Sequence, residues 1–219
     1  MILSPNSCCH KIIENNNTTE KILMKKFLLT ASMLGLTTVS AHAQPSPQIY
    51  VDAALRNQVN NFIANDLVTT GVNYQNERYK NLSQADVEAL DQVWRQERTQ
   101  EAQPFIAAIL SNPVSAYLTR IQAHSGGIFT EIFIMDDKGL NVGQSSISSD
   151  YWQGDEAKWQ RTYQDNVGAV FIDEPEYNSD TEQWRVQYNV AIPNESRTEN
   201  IGAATFEINL SELARRAAQ

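Results

Sequence analysis

Cysteine and histidine are scarce in this chain of 219 residues. The two cysteines are adjacent, at Cys8 and Cys9, and the three histidines are His10, His42 and His124. Beyond Ala43 the chain therefore has no thiol for a disulfide or a thiolate ligand, and only one imidazole. Residues 136–139 also lack the alternating oxygen ligands and distal Glu of a calcium loop. These absences argue against a disulfide scaffold and a metal site, and we expect no cofactor.

Long apolar runs are also lacking, but one short run has the features of a secretory signal. Met24, Lys25 and Lys26 form a positive start, and residues 27–39 are uncharged and mostly apolar. Ala41-His42-Ala43 matches a small-x-small cleavage site. The run is too short to span a bilayer. We therefore expect a signal peptide at 24–43 and one periplasmic domain at 44–219. Residues 1–23 are expected to result from a start codon assigned too far upstream.

Basic residues are outnumbered by acidic ones. The whole chain has 17 Lys and Arg against 26 Asp and Glu. Four of these lysines and two of these glutamates precede Gln44, so the expected mature chain has 13 basic and 24 acidic residues, a formal net charge of −11. Such a chain repels phosphate groups and anionic lipid. Nucleic acid is therefore not an expected partner, and no direct membrane anchor is expected.

The first half of the expected domain has helical periodicity. Leu55, Val59 and Ile63 recur at helical spacing. Ser83 with Asp86 resembles a capping box, and two prolines have the position of first-turn residues. The helices expected from these signals cover about 49–69, a stretch after Ser83, about 105–110 and about 114–124.

After Gly127 the period changes to that of β-strands. A hairpin is expected from 128–135 and 140–145, and a three-stranded meander from 167–172, 184–192 and 201–210. Helices followed by strands predict an α+β fold, with a five-stranded antiparallel sheet packed on one face by the N-terminal helices. The polar and aromatic residues 149–164, called the connector below, are expected to cover the other face and leave a concavity there.

Three segments within residues 112–211 resemble the Cache family of extracytoplasmic sensor domains, whose fold is PAS-like. They are Ile132-Phe133-Ile134-Met135-Asp136-Asp137-Lys138-Gly139-Leu140-Asn141-Val142, Ser149-Asp150-Tyr151-Trp152-Gln153-Gly154-Asp155-Glu156 and Ile201-Gly202-Ala203-Ala204. The resemblance implies a long N-terminal helix and a small ligand held under the segment that follows the first hairpin. Members are the input domains of chemoreceptors, histidine kinases and cyclic-dinucleotide enzymes.

The chain departs from this family in two respects. The family's best-known amino-acid pocket places an Arg and a Trp-Tyr pair shortly after a Tyr. Here Tyr151 is followed instead by Asp155, Glu156, Lys158 and Trp159, so an amino-acid ligand is not implied. Residues 211–219 are polar and small, with no transmembrane helix or signalling domain after Leu210. A stand-alone periplasmic member is therefore expected.

The ligand-binding candidates lie in and just after the connector. They are Tyr151, Trp152, Asp155, Lys158, Trp159, Tyr163 and Asp173. In one interpretation the aromatic faces enclose a ligand and the charges bind its polar ends. In the other, the aromatics pack on the sheet and the charges are solvated. Asp173 has the same two interpretations, since residues 173–176 also have the composition of a solvated strand exit.

Catalytic interpretations have less support. His124 is explained by a favourable position at a helix C-terminus. Gly143-Gln144-Ser145 begins like a nucleophile elbow, but Ile147 stands where the closing Gly belongs. Asp155 and Asp173 offer a carboxylate pair of the glycosidase kind, yet so acidic a chain offers many such pairs. No catalytic residue is therefore predicted.

Two functional hypotheses follow. The first is a periplasmic sensor domain that binds a small molecule and reports it to a separate membrane receptor, kinase, cyclase or transport partner. The second is a non-catalytic protein-interaction module whose pocket is filled by its own side chains. A homodimer through the N-terminal helix is compatible with both.

Overall fold

The computed structural model describes residues 51–219, and the expected signal peptide and upstream start lie outside these residues. The helices are α1 (Ala53–Ile63), α2 (Asp66–Tyr79), α3 (Gln84–Glu97), α4 (Pro104–Leu110), α5 (Pro113–His124), α6 (Ala157–Gln160) and α7 (Leu210–Ala217). The strands are β1 (Phe129–Met135), β2 (Asn141–Gln144), β3 (Val170–Ile172), β4 (Glu176–Asn178), β5 (Gln183–Pro193) and β6 (Asn200–Asn209).

Side-chain caps fix where the N-terminal helices begin. The Ser83 hydroxyl accepts the N–H of Asp86, and the Asp86 carboxylate accepts the N–H of Ser83, which completes the predicted capping box. Asn112 caps α5, whose first residue is Pro113. The single helix expected over 49–69 is wrong, because the Asn65 side chain accepts the N–H of Leu67 and starts a second helix, α2.

The six strands form one antiparallel sheet in the order β2-β1-β6-β5-β3, with β4 also paired to β5. The α+β class and the antiparallel sheet are confirmed. The sheet has one strand more than predicted, because residues 176–178 pair with residues 183–185 of β5. Residues 210–217, for which the sequence predicted no element after Leu210, form α7, which begins where the Asn209 side chain accepts the N–H of Glu212.

The two faces of the sheet pack against different parts of the chain. The inner face carries Ile132, Ile134, Val186, Tyr188, Val190, Ile192, Ala204, Phe206 and Ile208, which are buried against helices α1, α2 and α5. Strand alternation directs the intervening residues to the outer face. There Phe133, Met135 and Ala203 pack against Trp159 and Tyr163 of the connector. The connector therefore covers the outer face, as predicted.

Among residues 51–219, no helix combines the length and apolar character that crossing a bilayer requires.

Candidate functional site

The connector is attached to the outer edge of the sheet through the β1–β2 turn. The Gln153 N–H donates to the Gly139 carbonyl at 2.7 Å, and the Trp152 indole N–H donates to the Lys138 carbonyl at 2.8 Å. Gly139 has a φ of +81°, and a Cβ there would lie 2.5 Å from the backbone of Gly154. Glycine is required at this contact because both the backbone conformation and the close approach exclude a side chain.

The start of the connector is held by helix α3. The buried Asp91 carboxylate accepts the N–H groups of Tyr151 and Trp152 at 2.9 and 3.1 Å. Arg95 links Asp91 to Asp150 through distances of 2.7 and 2.9 Å. Two peptide groups at the beginning of the connector therefore depend on one carboxylate for their hydrogen bonds.

A cavity of about 210 Å³ lies between the middle of the connector and the outer face of the sheet. Helix α6 provides one wall, the chain around the start of β4 another, and β5 with β6 the floor. Its charged lining residues are Glu156, Lys158, Asp173, Glu174, Glu176, Arg185 and Glu207. The lining therefore contains both signs of charge, with carboxylates in excess.

Ion pairs hold the two cationic side chains of this cavity. Lys158 Nζ lies 2.9 Å from Glu156 Oε2 and 5.3 Å from the centroid of the Phe133 ring. Arg185 lies 2.8 Å from Glu207 Oε1. The Lys158 and Glu207 side chains are only 12% and 10% exposed, so these charges are largely removed from water. Pairs desolvated in this way are less screened by salt than surface pairs.

A second carboxylate, Glu131, lies directly opposite Glu207 across β1 and β6. The hydroxyl of Ser146 donates to Glu131 at 3.4 Å. Burial, and to a smaller extent the negative charge of Glu207, raise the pKa of Glu131 to about 7, against the opposing effect of the positive charges of Lys158 and Arg185. This carboxyl therefore titrates near neutral pH, where a surface glutamate does not.

The seven residues predicted for the site do not lie in one cavity. Lys158 and Asp173 line the cavity under the connector. Trp152 and Trp159 line a separate cleft of about 290 Å³ between the connector and the start of α3. The predicted set therefore combines residues from two different concavities, and its remaining three members lie in neither.

Tyr151, Asp155 and Tyr163 have other environments. Tyr151 is fully buried and stacks on Trp94 at 5.6 Å, so it belongs to the packing of α3 and α4. Tyr163 stacks on Trp159 at 4.9 Å. Asp155 is exposed and makes no hydrogen bond or ion pair with any residue in the range 51–219. For Tyr151 and Tyr163 the packing interpretation describes the geometry, and Asp155 is solvated.

The sequence prediction missed Glu131, Arg185 and Glu207. All three occupy polar positions of otherwise apolar strands, which alternation alone assigns to a solvated face. One signal in the sequence could have identified these residues, because the connector was predicted to cover that face. A charged strand residue that points under a cover is buried, and a buried charge is a candidate for function.

Two further features of the chain have structural explanations. The exposed His124 donates through Nδ1 to the Arg120 carbonyl at 2.8 Å at the end of α5. The Ser145 hydroxyl accepts the N–H of Ile132 at 2.9 Å.

Within the part of the chain that the structure describes, no group of three or more His, Cys, Asp or Glu side chains is arranged to hold a metal ion.

No protein-family model and no curated protein matches the chain. Solved structures that are similar include the isoleucine-bound sensory domain of the chemoreceptor Tlp3 from Campylobacter jejuni, at 17% identity and a TM-score of 0.36. The match covers 78% of this chain and 65% of that one.

Two other similar structures have the same general character. One is the ligand-binding domain of the amino-acid chemoreceptor PctC of Pseudomonas aeruginosa with GABA, at 15% identity, a TM-score of 0.33, and coverage of 74% of this chain and 64% of that one. The other is the sensor domain of the histidine kinase DctB of V. cholerae, at 14% identity, a TM-score of 0.35, and coverage of 74% and 58%.

The three matched proteins are sensory or ligand-binding domains, the class that the sequence resembles. The chain spans about two thirds or less of their length.

Proposed function

We propose that this protein is a small-molecule sensor domain that binds its ligand in the cavity between the connector and the outer face of the sheet. The observation that carries the proposal is the set of largely buried charges, including Lys158 and Glu207, that faces a concavity under the connector. Charged side chains are rarely buried unless they are paired, and buried charges that face a cleft are candidates for a functional site. A few such groups converging on a concavity are typical of a ligand site. The resemblance of the sequence to Cache domains supports the same proposal.

The proposed sensor transmits through the β1–β2 turn to helix α2. The Asp136 carboxylate accepts a hydrogen bond from the Gln75 side chain at 2.9 Å, and the Asp137 N–H donates to Asn76 at 2.9 Å. On its other side the same turn accepts the indole N–H of Trp159 at 3.1 Å. A ligand that favours one position of the connector would therefore shift α2, which a periplasm-facing receptor, kinase or transport partner reads.

Thermal unfolding in the presence of amines, amino acids, organic acids and purines tests this function. A ligand at 100 times its dissociation constant adds about 2.7 kcal/mol to the free energy of unfolding. We expect one class to raise the melting temperature of the wild type and to lose that effect in Lys158→Ala and Asp173→Asn. The exposed, unpaired Asp155 supplies a matched control, Asp155→Asn, which should keep the response. A response that survives in both cavity variants would place the ligand elsewhere.

A second function, a protein-interaction module, has one observation in its favour. Leu67 and Tyr74 lie seven residues apart on α2, and their side chains are 43% and 67% exposed. Residues at this spacing share one face of a helix. Sedimentation of the wild type and of Leu67→Ser/Tyr74→Ser distinguishes the alternatives. A dimer that the double variant converts to monomer supports interaction through this face, whereas two monomeric samples remove its support.

A further inference from the structure

A second, larger groove lies on the inner side of the sheet and has a volume of about 890 Å³. The residues around the junction of α1 and α2 form one wall. The start of β3, the end of β5 and the β5–β6 turn form the other. No residue that lines this groove also lines the cavity under the connector. Its volume lies within the range of about 300–1,000 Å³ that is typical of ligand pockets.

The groove combines an aliphatic floor with a rim of side-chain amides. Ile63 and Ile192 belong to the floor and are buried. Asn60, Asn61 and Asn73 belong to the rim, and their side chains make no hydrogen bond with any residue in the range 51–219. A carboxamide both donates and accepts hydrogen bonds, and a peptide group does the same. None of the described residues that line the groove is aromatic, which argues against a sugar, because sugar rings commonly bind on aromatic faces.

A free edge of the sheet borders the groove. Strand β3 is the last strand on this side and pairs only with β5. The Ala169 carbonyl and the Asp173 N–H both bond to β5. Because bonding alternates along an antiparallel strand, the N–H and C=O groups of Val170 and Ile172 point away from β5. Val170 lines the groove and is 45% exposed. Such an edge can pair with a further extended chain.

One cation lies where this free edge begins. Arg197 of the β5–β6 turn lines the groove, and a Cβ added to Gly168 would lie 3.2 Å from Arg197 Nη2. The guanidinium is therefore close to the start of β3, and it makes no ion pair with any residue in the range 51–219. Arg197 has a φ of +54°, a conformation that is costly for a residue other than glycine. The other charged lining residues, Asp66 and Glu195, are carboxylates, so an anionic group in the groove would bind at Arg197.

We propose that this groove binds the C-terminal end of an extended peptide. The peptide main chain pairs with β3, its carboxylate binds Arg197, and its last side chain lies on the aliphatic floor. Since Arg197 lies at the start of β3, the peptide runs antiparallel to that strand. Main-chain pairing of this kind supplies affinity, and pockets for side chains supply specificity. The inference goes beyond the proposed function, because it assigns a second ligand to the opposite face of the sheet.

Retention of peptide pools on the immobilised protein, measured by mass spectrometry, tests the ligand class. Both pools are tetrapeptides with three randomised positions followed by valine, and they differ only in a free or an amidated C-terminus. We expect the free-acid pool to be retained about tenfold more than the amide pool, because the carboxylate forms a charge-assisted bond with Arg197. An excess of free valine should not displace the peptides, since valine has no chain to pair with β3. Equal retention of the pools, retention of neither, or displacement by valine would overturn the proposal.

Two substitutions test the two contacts of the main chain and the carboxylate. Val170→Pro removes the outward N–H and leaves the bonds between β3 and β5 in place, so it should lower retention of the free-acid pool about tenfold. Arg197→Gln should remove the preference for the free acid, and its exposed position in a turn keeps the fold intact. Arg120→Gln is the matched control, because Arg120 is an exposed arginine outside the groove. A preference for the free acid that survives in Arg197→Gln would contradict the assigned carboxylate site.

A variant of the other face separates this inference from the proposed function. Lys158→Ala changes the cavity under the connector and no residue of the groove. It should retain the free-acid pool like the wild type, whatever the thermal screen finds for the cavity. Loss of peptide retention in Lys158→Ala, with retention unchanged in Val170→Pro, would place the peptide under the connector and overturn the second site.

Discussion

The two faces of the sheet are built from alternate residues of the same strands, yet they have opposite chemistry. In β6, Phe206 faces inward and is fully buried among apolar side chains, whereas its neighbour Glu207 faces outward into a charged cavity. In β1, Ile132 is likewise buried in the apolar core, and its neighbour Glu131 lies on the outer face opposite Glu207. A single strand therefore contributes to the apolar core with one residue and to the candidate site with the next.

The inner face therefore contributes mainly to stability, and the outer face carries the candidate site. The inner face buries aliphatic and aromatic surface against three helices, and burial of such surface is the main favourable term in folding. The outer face places two carboxylates opposite each other, which opposes folding. A protein selected only for stability would have apolar residues on both covered faces. Binding of a ligand at the outer face would therefore increase the stability of the fold.

The largest expected effect is on the inner face. Phe206→Ala removes a fully buried ring that packs 5.4 Å from Phe129 and 6.3 Å from Phe62. We expect the free energy of unfolding to fall by about 3–5 kcal/mol, because the cavity left behind adds to the lost transfer energy. Urea unfolding followed by tryptophan fluorescence measures the change.

The neighbouring residue provides the control for this substitution. Glu207→Gln keeps an acceptor for Arg185 and Thr130 and relieves the repulsion from Glu131. We expect a change of less than about 1 kcal/mol. Equal losses in the two variants would contradict the division between a stabilising inner face and a functional outer face.

A smaller loss of stability is expected at Asp91, which attaches the connector that covers the outer face. Asp91→Ala leaves the N–H groups of Tyr151 and Trp152 without their acceptor. The expected loss is about 2–3 kcal/mol, because unsatisfied buried donors carry their full desolvation cost. Hydrogen exchange should show faster exchange in the connector, with the inner strands protected as in the wild type. Uniformly faster exchange would show that the cover and the core unfold as one unit.

The elements that sequence predicted well have strong local signals. The hairpin follows from β-branched strands around a turn that ends in Gly139, and α5 follows from the Asn112 cap and Pro113. The break at Asn65 was missed because the apolar period of α1 continues through it, although Asn is a favoured cap. Strand β4 was missed because residues 176–178 are polar and pair only through β5.

The candidate site depends on contacts that local patterns do not contain. Lys158 and Asp173 were predicted from their place in and after the connector, and both line the cavity. An irregular segment has no period that orients its side chains, so the prediction could not separate the buried Tyr151 from the exposed Asp155. The pairing of Glu131 with Glu207 requires the register between β1 and β6, which the 75 intervening residues do not specify locally.

The outer face should also make stability depend on pH. Burial and then Glu207 raise the pKa of Glu131 from 4.5 to about 7. The native protein therefore binds this proton more tightly than the unfolded chain, and it loses stability as pH rises from about 4.5 to about 7. Glu131→Gln removes this loss, so the variant should be more stable than the wild type by about 3 kcal/mol at pH 8 and equal to it near pH 4.

Urea unfolding at several pH values from 4 to 8 measures this difference. Asp155→Asn is the control, and its stability should follow the wild-type curve because Asp155 makes no contact. A Glu131→Gln variant that is less stable than the wild type at pH 8 would show that the charged carboxylate stabilises the outer face.

The smallest expected effect concerns a neutral polar pair on the same outer face. The buried Thr205 hydroxyl donates to Asn189 Oδ1 at 2.7 Å across β5 and β6. Thr205→Val should cost about 1 kcal/mol, because it leaves a buried acceptor without its donor. Thr205→Val/Asn189→Leu should recover part of that loss, because replacing both partners with apolar groups removes the unsatisfied atom. The free energies of unfolding of the wild type, the single variants and the double variant measure the coupling between the two side chains. If the two losses are additive, each polar side chain contributes separately to stability. The inner and outer faces would then differ only in the charges that the outer face carries.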